Sequence, residues 1–426
     1  MLKQLKEKLT TGMGRDVVWT FSIQLLIMLC SFAITKLLAS RLSIDDFGQY
    51  NVIKRSVQVL SFVMLAGVGI TLPRYIPLYR KGHHQRPIVP LIEASFIYIA
   101  GVTLIVCAIC WVFSSDMQRL VLGESGNNSL MTIALAYAFA LAMAQLAFAY
   151  YRGVGDFKWY NGSQLAVQLA IILPLIILPS LTAANVFTSW LVITTVLVAF
   201  YFGRELWQKH GIALASAATL KSELTTILRY SAGRLIADFF QFSLAAFPLI
   251  YISSAQGLQP TAYYSVGITF VTMVTPIYAF MGIILLPYIS ECIAKHEMQA
   301  ANRIVTRLAL IYVATSLLAT VFLLIFTDFL TRLLFAESYV AASDITRIMI
   351  LSIPPQALYM LYRNPIDAVS VTPYNLIILF ITIVAMIISF SLCTTLTQFA
   401  WAYLGVSVIQ GLCSFITWER MKKMKG

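Results

Sequence analysis

The chain alternates long apolar runs with short polar interruptions. About twelve of the runs are long enough to cross a bilayer, since ~20 helical residues cover the ~30 Å hydrocarbon core. They fall near 17–40, 50–72, 88–113, 130–151, 160–180, 183–203, 231–254, 262–287, 306–327, 344–363, 370–393 and 396–418. The pattern predicts an all-α polytopic membrane protein of about 12 transmembrane helices in two pseudo-symmetric six-helix bundles. The expected division is an N-terminal bundle at 1–203, a connecting loop at 204–230 and a C-terminal bundle at 231–426. The middle of that loop has the spacing of an amphipathic helix lying in the membrane interface.

The two halves read as a repeat. A shift of 214 residues places Arg15 on Arg229, Ser40 on Ser254, Tyr50 on Tyr264, Pro73 on Pro287 and Lys81 on Lys295. Matched Pro, Arg and Lys carry weight in so apolar an alphabet. Two halves of six spans share one topology, so their pseudo-two-fold axis runs along the membrane normal, and substrate is expected between them. The chemistry is not repeated. Arg234 and Asp238 fall on Thr20 and Gln24, while Lys54 and Arg55 fall on Ile268 and Thr269.

Polar residues inside the apolar runs are the candidates for function. A charge facing lipid costs roughly 2.5–3.5 kcal/mol at mid-helix, so such residues face other helices or a wet cavity. In span seven, Arg234, Asp238 and Gln241 recur at i, i+4 and i+7, on one helix face. In span two, Asn51, Lys54, Arg55, Gln58 and Ser61 form a similar stripe. Span one offers Thr20, Gln24, Ser31 and Thr35, with Lys36 beside them, and span five offers Asn161, Gln164 and Gln168. Span ten opens with Arg347 and breaks at Pro354–Pro355. The cations Lys36, Lys54, Arg55, Arg234 and Arg347 outnumber the acids Glu93 and Asp238, and a net basic lumen suits an anionic substrate. Arg grips phosphate through its planar fork. Asp238 and Glu93 are the candidates for any ion coupling. Structural roles compete with these readings: an Arg234–Asp238 pair that only joins helices, snorkelling of Lys54 and Arg55 to headgroups, and a Glu93 that answers the basic loop before it.

Composition supports the class. Hydrophobic residues make up 59% and charged residues 11%, against about 25% charged in a soluble domain. The net charge of +12 would suggest nucleic acid only if it gathered on a soluble domain, and no such domain is evident. Instead Lys and Arg mark cytoplasmic loops. With an internal N-terminus, the external side holds only Arg41, Arg119 and Arg332 among loop cations, so both termini are expected in the cytoplasm. Cys107 and Cys110 form a CxxC inside an apolar run and read as packing residues. His83–His84 reads as a solvated pair, and Asn127-Asn128-Ser129 as a chance sequon. No cofactor, metal site, P-loop, zinc-protease motif or nucleophile elbow is expected.

Three segments carry a family resemblance. RLSIDDFGQYNV after span one resembles the L-x-x-x-D-F-G-x-Y signature of the polysaccharide transporter family, within the multidrug/oligosaccharidyl-lipid/polysaccharide (MOP) exporter superfamily. GVGITLPRY resembles its G-x-x-x-x-L-x-R element, and YRGVGDFK its G-x-G-x-F loop. Length and span number extend the resemblance over the whole chain, and it is similar in particular to O-antigen-type flippases. The resemblance implies a multi-pass protein of the bacterial inner membrane that moves an undecaprenyl-pyrophosphate-linked oligosaccharide from the cytoplasmic to the periplasmic leaflet, in some relatives with ion coupling. Implied partners are that lipid-linked oligosaccharide, membrane lipids, a polysaccharide polymerase and a chain-length regulator. The alternatives are a drug/cation antiporter of the same superfamily, which would need an acidic or aromatic lumen, and a membrane-embedded polysaccharide polymerase or ligase, which would need a larger periplasmic loop.

Overall fold

In hydrocarbon every backbone N–H and C=O must be satisfied within the protein, and the helix does this locally. Of the described residues 91% are helical, and no strand occurs among them. The computed structural model describes residues 12–81, 86–123, 127–210, 215–294, 298–370 and 373–425; its described side chains leave out, among others, 12–18, 232–235, 237–238 and 279–294. His83, His84 and the N-terminal lysines lie outside the described residues.

The chain divides into two units, Met1–Leu235 and Ile236–Gly426. The first contains α1 (Gly12–Arg41), α2 (Ile44–Leu65), α3 (Val68–Lys81), α4 (Val89–Val112), α5 (Ser114–Leu122), α6 (Asn128–Val154), α7 (Phe157–Ala170), α8 (Leu173–Ile177), α9 (Ala183–Val198) and α10 (Arg204–His210). Next comes α11 (Ala217–Gln256), which begins in the first unit and ends in the second. The second unit continues with α12 (Leu258–Ala294), α13 (Met298–Ile325), α14 (Thr327–Leu334), α15 (Ser343–Ile350), α16 (Ile353–Val369), α17 (Tyr374–Ser391) and α18 (Leu396–Lys425).

Nine helices among the described residues are long and apolar enough to cross a membrane. Three expected spans are missing from that set for identifiable reasons. The stretches 231–254 and 262–287 include residues whose side chains lie outside those described. The third, 344–363, is divided into α15 and α16 by a turn at Leu351–Ser352. Large apolar side chains such as Leu104, Ile177, Leu318, Ile325 and Leu392 stand largely exposed. That is tolerable in lipid and costly in water.

The expected loop at 204–230 is mostly helical. Residues 204–210 form α10, and the segment read as interfacial runs straight into span seven as one 40-residue helix. Ala217 to Ile227 is rich in strong helix formers, and no proline stands between Ala217 and Tyr230 to end the helix. The loops after spans three and nine likewise hold short helices, α5 and α14, each with an acid in its first turn and an arginine in its last.

In each unit the fourth span is the packing hub. In the first, α6 packs on α2, α3 and α9; in the second, α16 packs on α12, α13 and α18. The buried alanines 134, 138, 142 and 147 of α6 let neighbouring helices approach closely, the usual basis of helix contact in lipid. In the second unit, a Cβ at Gly411 would come within 2.7 Å of the Pro355 carbonyl oxygen.

The three motif segments build turns of this frame. Ser43 caps α2, accepting from the Asp46 amide at 3.1 Å and donating to its carboxylate at 2.7 Å. Between α2 and α3 the backbone turns through Ala66 (φ 46°) and Gly67 (φ 80°). Gly67 lies so near Ser231 of α11 that an added Cβ would stand 2.5 Å from the serine Cβ. Pro73 has no N–H, so the Gly69 carbonyl, four residues earlier, lacks a helical donor. Arg152 at the end of α6 supplies one, its Nη2 donating at 2.7 Å. Gly155 (φ 82°) then ends α6, and Asp156 caps α7 by accepting from the Trp159 amide at 3.1 Å. Asn127 of the chance sequon caps α6, accepting from the Leu130 amide at 2.9 Å. At its C-terminus α1 is tied down by Arg41, whose guanidinium donates to the carbonyls of Leu175, Leu178 and Pro179 around the end of α8.

Candidate functional site

The stripe of α2 keeps its face. Asn51, Lys54, Arg55 and Gln58 are half-buried and Ser61 is buried. Asn51 donates back to the Phe47 carbonyl at 2.8 Å. Arg55 donates to Gln58 Oε1 at 3.3 Å. Lys54 Nζ lies 5.6 Å from the ring centroid of Tyr50. Tyr50 belongs to an aromatic cluster with Phe187 (5.7 Å), Trp190 (5.8 Å) and, through these, Tyr137. The electron-rich ring face offsets part of the cost of the lysine charge, about 0.5–2 kcal/mol. Lys54 and Arg55 thus lie side by side on one helix turn, bordered by the amides of Asn51 and Gln58 and a buried aromatic wall.

The polar stripes of spans one and five meet each other. Asn161 donates to Thr20 at 2.8 Å, Gln24 to Gln164 at 3.2 Å and Gln168 to Ser31 at 2.9 Å. These three bonds zip α1 to α7, so much of what Gln24 and its neighbours do is join helices. Lys36 is half-buried further along α1.

Glu93 accepts a hydrogen bond from the Ala215 amide at 2.9 Å. It thereby holds the approach to α11, where Ser216 caps the first turn, and an acid suits a helix N-terminus. Arg347 binds two carboxylates, Asp328 at 2.8 Å and Asp344 at 2.9 Å, and so is a neutralised cation. The hydroxyl of Ser343, then the guanidiniums of Arg347 and Arg332, hold the Asp328 carboxyl below its usual range. In the second unit Gln241 accepts from the Tyr359 hydroxyl at 3.2 Å. Just past the α15–α16 break, Gln356 Nε2 lies 3.1–3.2 Å from the hydroxyl oxygens of Ser352, Tyr403 and Ser407, with two N–H groups to share among them. Arg234 and Asp238 sit on α11, but their side chains lie outside those described.

Glu223 escaped the sequence reading. It is 5% exposed and accepts from the Tyr79 hydroxyl at 2.8 Å. Its signal was present: Glu223, Ile227 and Ser231 recur every four residues and are all buried, which puts a carboxylate on the apolar face of a helix. The same face contacts α3 again at Thr71–Ser231 (3.2 Å) and where Arg74 stacks 4.5 Å from the Tyr230 ring centroid.

The fold is shared by solved transporters. An inward-facing multidrug resistance MATE family transporter of the MOP superfamily matches with a TM-score of 0.71 at 14% identity, covering 96% of this chain and 99% of that one. The lipid II flippase MurJ in an inward closed conformation matches with a TM-score of 0.72 at 11% identity, covering 94% and 87%. A Vibrio cholerae MATE transporter matches with a TM-score of 0.65 at 13% identity, covering 96% and 98%. These likenesses show the fold, the one these MOP-superfamily transporters share. The sequence model described as polysaccharide biosynthesis protein matches residues 13–293, more than half of the chain, and the chain belongs to that family. The MatE model matches residues 235–395. No curated protein matches the chain in sequence.

Proposed function

We propose that the protein is a flippase that carries an undecaprenyl-pyrophosphate-linked oligosaccharide, an O-antigen or related polysaccharide repeat unit, across the bacterial inner membrane by alternating access. The observation that carries the reading is the Lys54–Arg55 pair, two adjacent half-buried cations in a membrane-spanning member of a polysaccharide biosynthesis family. Adjacent like charges in a poorly solvated site repel, and an anion beside them is attracted. A pyrophosphate bearing sugars cannot enter hydrocarbon unaided; cationic and amide groups offset its dehydration while the prenyl tail stays in lipid. In this reading both termini and Ser222 face the cytoplasm, Arg234 receives the anion first, and Asp238 or Glu93 serves any ion coupling. A polymerase and a chain-length regulator would act on the product.

A second reading, export of organic cations, draws support from the MatE match and the MATE structures. Against it stand the mainly basic residues of the spans.

The test uses a bacterial host stripped of its own O-antigen flippase. The chain should restore surface polysaccharide, and Lys54→Ala with Arg55→Ala should abolish it at unchanged membrane level. Full export by the double variant, or efflux of a cationic dye with no polysaccharide, overturns the reading. Labelling of Ser222→Cys by an impermeant thiol reagent from outside would overturn the orientation.

A further inference from the structure

A small pocket in the first unit, separate from the Lys54–Arg55 stripe, is lined by Gly69, Gln145, Arg152, Tyr160 and Gln164 together with Phe148 and Ala149. Its volume of about 60 Å³ is several times the roughly 10–15 Å³ one water needs, enough for a phosphoryl group. Resting on the flippase reading, we propose that this pocket is an oxyanion subsite that takes a phosphate of the lipid-linked diphosphate.

Each polar side chain of the lining can donate, and none is an acid. Arg152 spends one N–H on the Gly69 carbonyl that Pro73 leaves without a donor, which anchors the guanidinium and leaves four of its five N–H groups uncommitted to that bond. Among the described residues no carboxylate lies within ion-pair distance of Arg152. Gln164 donates to the Tyr160 carbonyl at 3.2 Å, while its oxygen is occupied by Gln24; its second N–H remains. Gln145, which is exposed, and Tyr160 complete the polar lining. A pre-anchored planar fork beside neutral donors, with no acid in the lining, is the arrangement that recognises a phosphate. It lies at the α2–α3 turn and the foot of α6, within the segments GVGITLPRY and YRGVGDFK, so Arg152 and Pro73 gain a role beyond the turn itself.

Arg152 also holds the frame, so the informative variant is Gln145→Glu, which adds a negative charge and leaves the Arg152–Gly69 bond in place. The purified full chain in nanodiscs is titrated calorimetrically with inorganic pyrophosphate and, separately, with farnesyl pyrophosphate. Wild type should bind both, the lipid form more tightly. Gln145→Glu should weaken both by about tenfold or more, the equivalent of one charge-assisted hydrogen bond, and Arg152→Gln should do the same. Unchanged binding in Gln145→Glu, or no binding by wild type, overturns the subsite. Polysaccharide export separates the two readings. Export by wild type with full export by Gln145→Glu rejects the subsite and leaves the flippase standing. Pyrophosphate binding that Gln145→Glu abolishes, in a wild type that exports nothing, keeps the subsite and rejects the flippase.

Discussion

The Tyr79–Glu223 bond joins α3 to the first half of α11, and its energetics can be worked from the geometry. Both side chains are buried, at 8% and 5% exposure, and the bond is 2.8 Å long. Tyr79→Phe removes only the hydroxyl and leaves a buried carboxylate short of its donor. A hydrogen bond to a charged group contributes about 1.5–3 kcal/mol, so the unfolding equilibrium should shift by roughly 10- to 150-fold. Glu223→Gln keeps an acceptor for the phenol and should cost less. The decisive variant is Tyr79→Phe with Glu223→Leu, which removes both polar groups. Replacing a buried polar pair by apolar groups is often near neutral, so the double variant should be more stable than Tyr79→Phe alone. Equilibrium unfolding of the purified full chain in mixed micelles gives the four corners of the cycle. Costs that add to within about 0.5 kcal/mol would refute the coupling, and a double variant less stable than either single one would refute the reading of Glu223 as a buried group satisfied by Tyr79.

Other outcomes follow from single contacts. Gln168→Leu breaks one rung between α1 and α7 and should destabilise by about 0.6 kcal/mol, the average for an interhelical hydrogen bond in a membrane protein, read by the same unfolding assay. Gly411→Val should cost far more, because even a Cβ meets the Pro355 carbonyl at 2.7 Å; lowered folded yield at 37 °C would register it, and wild-type yield would contradict the close packing of α16 on α18. Because the Asp328 carboxyl is held below its usual range, its bond to Arg347 stabilises the fold at neutral pH. That contribution should fade as pH falls through the lowered value; Asp328→Asn should remove this acid-side loss from the stability profile. Gly67→Ala combines a positive φ with the Ser231 contact, and should weaken the seating of α11, seen as faster amide exchange at 227–231.

The sequence by itself determined the class, because hydrocarbon imposes a length and an apolarity that can be counted along the chain. The near-complete helicity of the described residues agrees with that count. The polar stripes were also legible, since helical spacing alone places Asn51, Lys54, Arg55 and Gln58 on one face. What each stripe faces was not. The stripes of spans one and five are indistinguishable in sequence from lumen-lining residues, yet Asn161, Gln164 and Gln168 pair with Thr20, Gln24 and Ser31. Arg347 reads as an intramembrane cation until the fold brings Asp328 beside it from 19 residues away. Glu93 reads as a coupling acid, and only the fold shows that the Ala215 amide also donates to it. Glu223 and Arg152 sat in segments read as loops, so their partners were invisible, although the four-residue spacing of Glu223, Ile227 and Ser231 marked a buried face. The physical reason is common to all of these. Burial of an apolar face is a local property repeated every turn, whereas the partner of a polar group is supplied by a distant segment, and only the packing of helices decides which one arrives.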